Sequence, residues 1–238
     1  MDDLESLMAK QVPTAERPLA GLTVLVVEDS RFACEAMRLL CLRSGARIRR
    51  ADCLASARRH LQVYRPSVVI VDLGLPDGSG EELITELHNS APRVGMLLGT
   101  SGDPGGEQLA LKAGADAFLD KPINSLMAFQ NLILSRLPED RRPNGPRHSS
   151  DADIEPDLIA YRDDLTHIAS VLDASPDSDT LDYVSQFLGG LARSAEDEPL
   201  EPAAKRLARH KNQGAQLRSD LSHLNGLVQE RIAAGGTI

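Results

Sequence analysis

Short apolar runs alternate with amphipathic stretches through the first half of the chain. The runs Leu22–Val27, Val68–Val71, Val94–Leu98 and Ala117–Leu119 read as buried strands. Between them, apolar residues recur at helical spacing over 30–43, 54–64, 80–89, 104–114 and 124–136, as in Phe32, Ala36, Leu39, Leu40 and in Leu126, Phe129, Ile133. Breakers mark the junctions: Ser44-Gly45, Arg65-Pro66, Pro76-Asp77-Gly78, Ala91-Pro92 and Gly114. Alternation of β and α implies a parallel sheet covered by helices on both faces. Five such units over 21–137 predict a doubly wound α/β domain of flavodoxin-like type, with strand order 2-1-3-4-5.

The second half changes period. Leu158, Tyr161, Leu165, Ile168 and Leu172 mark one helical face, and Leu181, Val184, Phe187, Leu188 and Leu191 a second. A near-heptad seam runs Leu200, Ala203, Leu207, His210, Gly214, Leu217, Leu221, Leu224, Val228. A break near Gly214 would make two helices of it. Residues 154–236 are therefore expected to form a small all-α bundle of three or four helices, serving output or dimerisation. Segment 138–153, which includes PEDRRPNGPRHSS, is Pro-, Gly-, Ser- and Arg-rich and reads as a linker. Residues 1–20 form a leader in which Leu4, Leu7 and Met8 hint at a short amphipathic turn.

Composition narrows the class. Aromatics make up 3% and tryptophan is absent, so the core must be Leu, Val, Ile and Ala. Of the net charge of −9, residues 151–238 carry −8, from 16 acidic and 8 basic side chains. Binding to nucleic acid is driven by cations that neutralise phosphates, so DNA is not the expected partner. No apolar run approaches the ~20 residues needed to cross a bilayer. Cys34 and Cys41 lie two helical turns apart, roughly 10 Å, too far for a disulfide. With Cys53 they read as reduced thiols in a cytoplasmic protein.

Polar residues emerge where the apolar runs end. Glu28 and Asp29 follow the first run, Asp72 the Val68–Val71 run, Thr100 the Val94–Leu98 run and Lys121 the last. In a parallel sheet these ends share one edge, where ligands of such folds bind. Clustered carboxylates repel and call for a hard cation such as Mg²⁺. Asp72 is then placed as a carboxylate nucleophile toward an activated phosphoryl group. Lys121 and the Thr100 hydroxyl are placed to neutralise its oxygens.

The segments VLVVEDS, VVIVDLGLPDGSG, LLGTSG and GADAFLDKP resemble the signature segments of the CheY-like response-regulator receiver domains of two-component signalling. The resemblance spans about 21–137. It implies that Asp72 is the phosphoacceptor, and that Asp29 ligates Mg²⁺ directly while Glu28 helps through water. The Gly74 carbonyl would be a further ligand. It implies that Thr100 is the switch hydroxyl, Lys121 the phosphoryl-binding lysine, Phe118 the switch aromatic, and that Pro122 follows a cis peptide. Two positions depart from the pattern: Gly74, two after Asp72, and Gly102, two after Thr100. In the family, side chains there often control how water reaches the phosphoryl group. A mobile loop and a short fourth helix are expected around Gly99–Gly106. Kinase specificity is expected in the first helix, around Phe32, Met37 and Leu40.

The expected function is a response regulator phosphorylated by a partner histidine kinase or phosphotransferase. It is not an enzyme beyond its own phosphorylation and dephosphorylation. Output is expected through protein contacts of the helical region, with a downstream partner or as a homodimer. Two alternatives stand beside it. His210 opens His210-Lys211-Asn212-Gln213-Gly214, a partial match to the His-x-x-Lys-Gly segment of histidine phosphotransfer domains, which would make the chain a phosphorelay protein. The helical region could instead be an atypical DNA-binding domain of a transcriptional regulator. His167 is expected in a surface ion pair with Asp163 or Asp164.

Overall fold

The structure is a computed structural model that describes residues 12–143, 154–174, 176–211 and 213–234. In the first region, β1 (Thr23–Val27), α1 (Arg31–Ser44), β2 (Arg47–Ala51), α2 (Leu54–Val63), β3 (Val68–Asp72), α3 (Gly80–Asn89), β4 (Met96–Ser101), α4 (Gly106–Ala113), β5 (Ala117–Asp120) and α5 (Leu126–Arg136) alternate as the apolar pattern predicts. The strands form one parallel sheet in the order β2-β1-β3-β4-β5.

Strand alternation divides the core into two layers. Val24, Val26, Ile70 and Leu98 face Met37, Leu40, Phe129 and Ile133 of α1 and α5. Leu25, Val27, Val69, Val71 and Leu97 face Leu54, Leu83, Ile84 and Ala110 of α2, α3 and α4. Leu19 and Ile154, on either side of this region, are both buried in the first layer. The Leu4, Leu7 and Met8 turn lies outside the described residues.

Strand β2 reads RIRRA, and Arg47, Arg49 and Arg50 are exposed along the sheet edge. A strand with one neighbour needs no apolar run. Its charged side chains also discourage pairing with another chain's edge.

Four helices follow: α6 (Leu158–Asp173), α7 (Ser178–Ser194), α8 (Leu200–His210) and α9 (Gly214–Ala234). The expected break before Gly214 is present. The helices share one core of Leu165, Ile168, Val184, Leu188, Leu207, Leu224 and others, which also takes in Phe32 of α1. Asp197, between α7 and α8, accepts a 2.6 Å hydrogen bond from the Tyr161 hydroxyl and pairs with Arg231 of α9, tying three helices together. Among the described residues no helix is long and apolar enough to cross a membrane.

Candidate functional site

Sheet register brings the polar residues together. Val27 pairs with Val71, Asp72 with Thr100, and Thr100 with Leu119, so the carboxyl ends of the central strands lie level. Glu28 and Asp29 continue from β1, and Lys121 continues from β5. Glu28, Asp29 and Asp72 each offer a carboxylate oxygen within 4.8 Å of the others. Lys121 Nζ lies 2.7 Å from Glu28 and 3.0 Å from Asp72. The Lys121–Pro122 peptide is cis, as the resemblance implies, and so is Ala91–Pro92.

Gly80 explains how Asp72 is held. A Cβ there would lie 2.0 Å from the Asp72 carbonyl oxygen, so only glycine lets α3 begin against the end of β3. Between them, Gly74–Leu75 and Gly78–Ser79 pair in a small antiparallel turn, and Ser79 caps α3 by accepting from the Glu81 N–H.

The electrostatics fit a cation. Burial, reinforced by the Asp72 charge, pushes the Glu28 carboxyl up to about 8 against the pull of Lys121. Burial and Asp72 push Asp29 up to about 7, against the Tyr183 hydroxyl and Lys121. Burial alone would lower Lys121, but Asp72 and Glu28 overcome it and hold the lysine protonated. One lysine serves a cluster of three carboxylates, and an all-oxygen donor set of this kind suits Mg²⁺. The Thr100 hydroxyl is fully buried and donates to the Leu119 carbonyl at 2.8 Å. Phe118 is half-buried and packs near Gly99 and Gly106.

Residues 24–131 match the response regulator receiver domain family. This segment is a receiver domain. The helical region is not matched by any family. The receiver is similar to the KDP operon transcriptional regulatory protein KdpE of Escherichia coli K12, at 33% identity over 115 residues, 48% of this chain and 51% of KdpE. It is similar to the virulence transcriptional regulatory protein PhoP of Salmonella typhimurium 14028s at 30% identity, covering 48% of this chain and 53% of PhoP. The chain thus spans about half the length of the curated relatives it matches. Among solved structures, a CheY-like receiver domain protein from Methanospirillum hungatei superposes with a TM-score of 0.45 at 22% identity, over 50% of this chain and 95% of that one.

The helical region contributes residues that sequence reasoning missed. Tyr183 of α7 donates its hydroxyl to Asp29 Oδ2 at 2.8 Å. Arg193 of α7 pairs at 2.8 Å with Asp103, in the loop after the receiver's β4. Gln186 lies over Gly74 and Arg193 over Gly102. Asp164 of α6 accepts from the Ser30 hydroxyl and from the N–H groups of Arg31 and Phe32 at the start of the receiver's α1. Asp163 pairs with Arg31. Neither aspartate serves His167, because both reach across to α1. Phe32, Met37 and Leu40, expected to meet the kinase, are buried: Met37 and Leu40 inside the receiver, Phe32 against Tyr161 of α6 at 5.7 Å. The spacing Tyr183, Gln186, Gly190, Arg193 is a helical stripe beside the apolar face of α7. That stripe, set against side-chain-free Gly74 and Gly102, was the available signal. His210 is not part of the site described here: its Nδ1 lies 2.7 Å from Asp220 of α9.

Proposed function

We propose that the chain is a cytoplasmic two-component response regulator in which Asp72 accepts a phosphoryl group from a partner histidine kinase or phosphotransferase. The observation that carries this reading is the convergence of Glu28, Asp29 and Asp72 around Lys121 at the edge of the receiver sheet.

Asp29, Asp72 and the Gly74 carbonyl would hold Mg²⁺, with Glu28 supporting it. When bound, the metal supplies positive charge toward a phosphoryl oxygen. Asp72 attacks phosphorus with a carboxylate oxygen: the new O–P bond forms, the P–N bond of the donor phosphohistidine breaks, and the imidazole leaves with a proton from solvent. Lys121 neutralises one phosphoryl oxygen. Thr100 exchanges its bond to Leu119 for another phosphoryl oxygen, and Phe118 moves into the space vacated.

Output is through protein contacts of the helical region, with a downstream partner or a second copy. Relatives named as transcriptional regulators resemble this chain in the receiver portion. In the helical region, Lys205 pairs with Glu201, Lys211 with Asp182, and Arg206 approaches Asp220, so this basic cluster is largely neutralised within the bundle. That favours protein contact over binding to phosphates. Retention on DNA that falls steeply with salt would reverse this part of the reading.

The test is exposure to acetyl phosphate and MgCl₂ with intact-mass detection. Wild type is expected to gain one phosphoryl group and Asp72→Asn none. Equal labelling of both would reject Asp72 as the acceptor.

A further inference from the structure

Helix α7 of the helical region lies directly over the phosphorylation site. The cleft between Asp72, Lys121 and α7 has a volume of about 20 Å³, room for a water molecule. A phosphoryl group brings three oxygens, each about as large as a water. A phosphoryl group does not fit there while α7 is in place.

The fit between helix and receiver is specific. A Cβ on Gly74 would lie 2.5 Å from Gln186 Nε2, and one on Gly102 would lie 2.4 Å from Arg193 Nε. A side chain at either position would have to displace the Gln186 amide or the Arg193 guanidinium from where it now lies. These are the two positions flanking Asp72 and Thr100 where the receiver departs from its family's pattern. Tyr183 donates to Asp29 Oδ2, one of the oxygens a cation would use. Gln186 reaches Asp103 at 3.4 Å, and Arg193 pairs with Asp103 and Glu201.

One contact is imperfect. Arg193 Nε is buried without a hydrogen-bond partner. An unsatisfied buried donor weakens the closed arrangement and leaves it open to competition.

We propose that α7 competes with the phosphoryl group and its cation for one surface, so that the docked helix closes Asp72 to phosphorylation and phosphorylation holds the helix away. The occupant of the surface is this chain's own Tyr183–Gln186–Gly190–Arg193 stripe. The proposal rests on Asp72 being the acceptor. Linkage makes the effect reciprocal: the factor by which docking weakens phosphoryl binding is the factor by which the phosphoryl group weakens docking.

The experiment uses the full chain in two opposed forms. Asp103→Cys with Gln186→Cys, in a Cys53→Ser background, is bridged by a short bis-maleimide to tether α7 over the site. Tyr183→Phe with Arg193→Ala removes the Asp29 contact and the Arg193–Asp103 ion pair of α7 without touching its apolar core face. Acetyl phosphate with MgCl₂ is the donor, and intact mass follows labelling over time. Circular dichroism confirms that each form is folded, and hydrogen exchange of the α7 amides reports release.

The tethered chain should label at least about tenfold more slowly than the same chain before bridging, within the usual range of coupling between sites. The release variant should label faster than wild type and exchange faster along α7. Equal labelling before and after bridging overturns the competition while leaving the acceptor assignment intact. A release variant that exchanges faster along α7 but labels no faster than wild type also overturns it. If neither the unbridged chain nor the release variant gains a phosphoryl group, the acceptor assignment falls and the competition falls with it.

Discussion

Asp164→Ala is the sharpest probe of how the helical region is held on the receiver. The carboxylate accepts from the Ser30 hydroxyl at 2.8 Å, the Arg31 N–H at 2.9 Å and the Phe32 N–H at 3.1 Å. It is 3% exposed. Hydrogen bonds to a charged acceptor contribute about 1.5–3 kcal/mol each. Three bonds to one carboxylate do not add, and burial opposes them: it raises the Asp164 carboxyl above its usual range despite those donors. The net loss on truncation is therefore about 2–4 kcal/mol, two unsatisfied backbone donors included. That corresponds to about 30- to 1,000-fold in the docking equilibrium.

Hydrogen exchange localised to the first turn of α1 is the assay. The Arg31 and Phe32 amides should exchange faster in Asp164→Ala by a factor in that range. Helix α1 itself should survive, because Ser30 still caps it through the Ala33 N–H at 3.1 Å. Exchange in β3 is the control and should not change. Asp164→Asn keeps the shape and one acceptor, so it should fall between wild type and alanine. A change under about twofold at Arg31 and Phe32 would refute the reasoning, since it would leave Asp164 with no share of the interface.

Two further outcomes follow from the site. Glu28 and Asp29 titrate near about 8 and about 7 when folded, against ordinary values of 4.5 and 3.8, so the folded chain holds more protons than the unfolded one between those limits. Stability without metal is then greatest below about pH 4 from these two groups and is lost as pH rises through 7 and 8. Mg²⁺ binds the deprotonated carboxylates, so in the Tyr183→Phe/Arg193→Ala chain, where α7 competes less, its stabilisation should be larger at pH 8 than at pH 5.5 by calorimetry, and equal stabilisation at both would contradict the cation assignment. Gly80→Ala places a methyl 2.0 Å from the Asp72 carbonyl oxygen, so urea unfolding should show a loss of about 3 kcal/mol, and a loss under about 1 kcal/mol would show that the turn adapts freely.

The receiver was legible because burial leaves a mark on sequence. Strands covered on both faces must be apolar throughout, and Val68–Val71 or Leu22–Val27 can hardly be anything else. Strand β2 left no such mark, since its arginines meet solvent at the sheet edge. The acidic site was legible for a related reason: its residues sit where the apolar runs stop, and parallel register does the rest. The docking of the helical region was not legible. An apolar helix face says that something covers it but not what. The contacts that fix the docking, from Asp164, Tyr183, Gln186 and Arg193, are polar and join residues 83 to 154 positions apart. Isolated polar side chains of this kind read as solvated, as Asp163 and Asp164 did beside His167. Only the missing side chains at Gly74 and Gly102 pointed to a filler from elsewhere.

Charge pairing decides how the helical region can rest on an acidic site. The helical region carries most of the chain's negative charge, yet it rests on a cluster of carboxylates. It does so by presenting the Tyr183 hydroxyl to Asp29 and Arg193 to Asp103, and by taking Arg31 from the receiver onto Asp163. A phosphoryl group adds about −1.5 to −2 charges at this boundary. Arg193 is already engaged by Asp103 and Glu201, so it has little free charge to offer against the addition. The α7 residues that line the site carry no negative charge, so steric exclusion, with Arg193 held by Asp103 and Glu201, is what favours separation of α7 from a phosphorylated receiver.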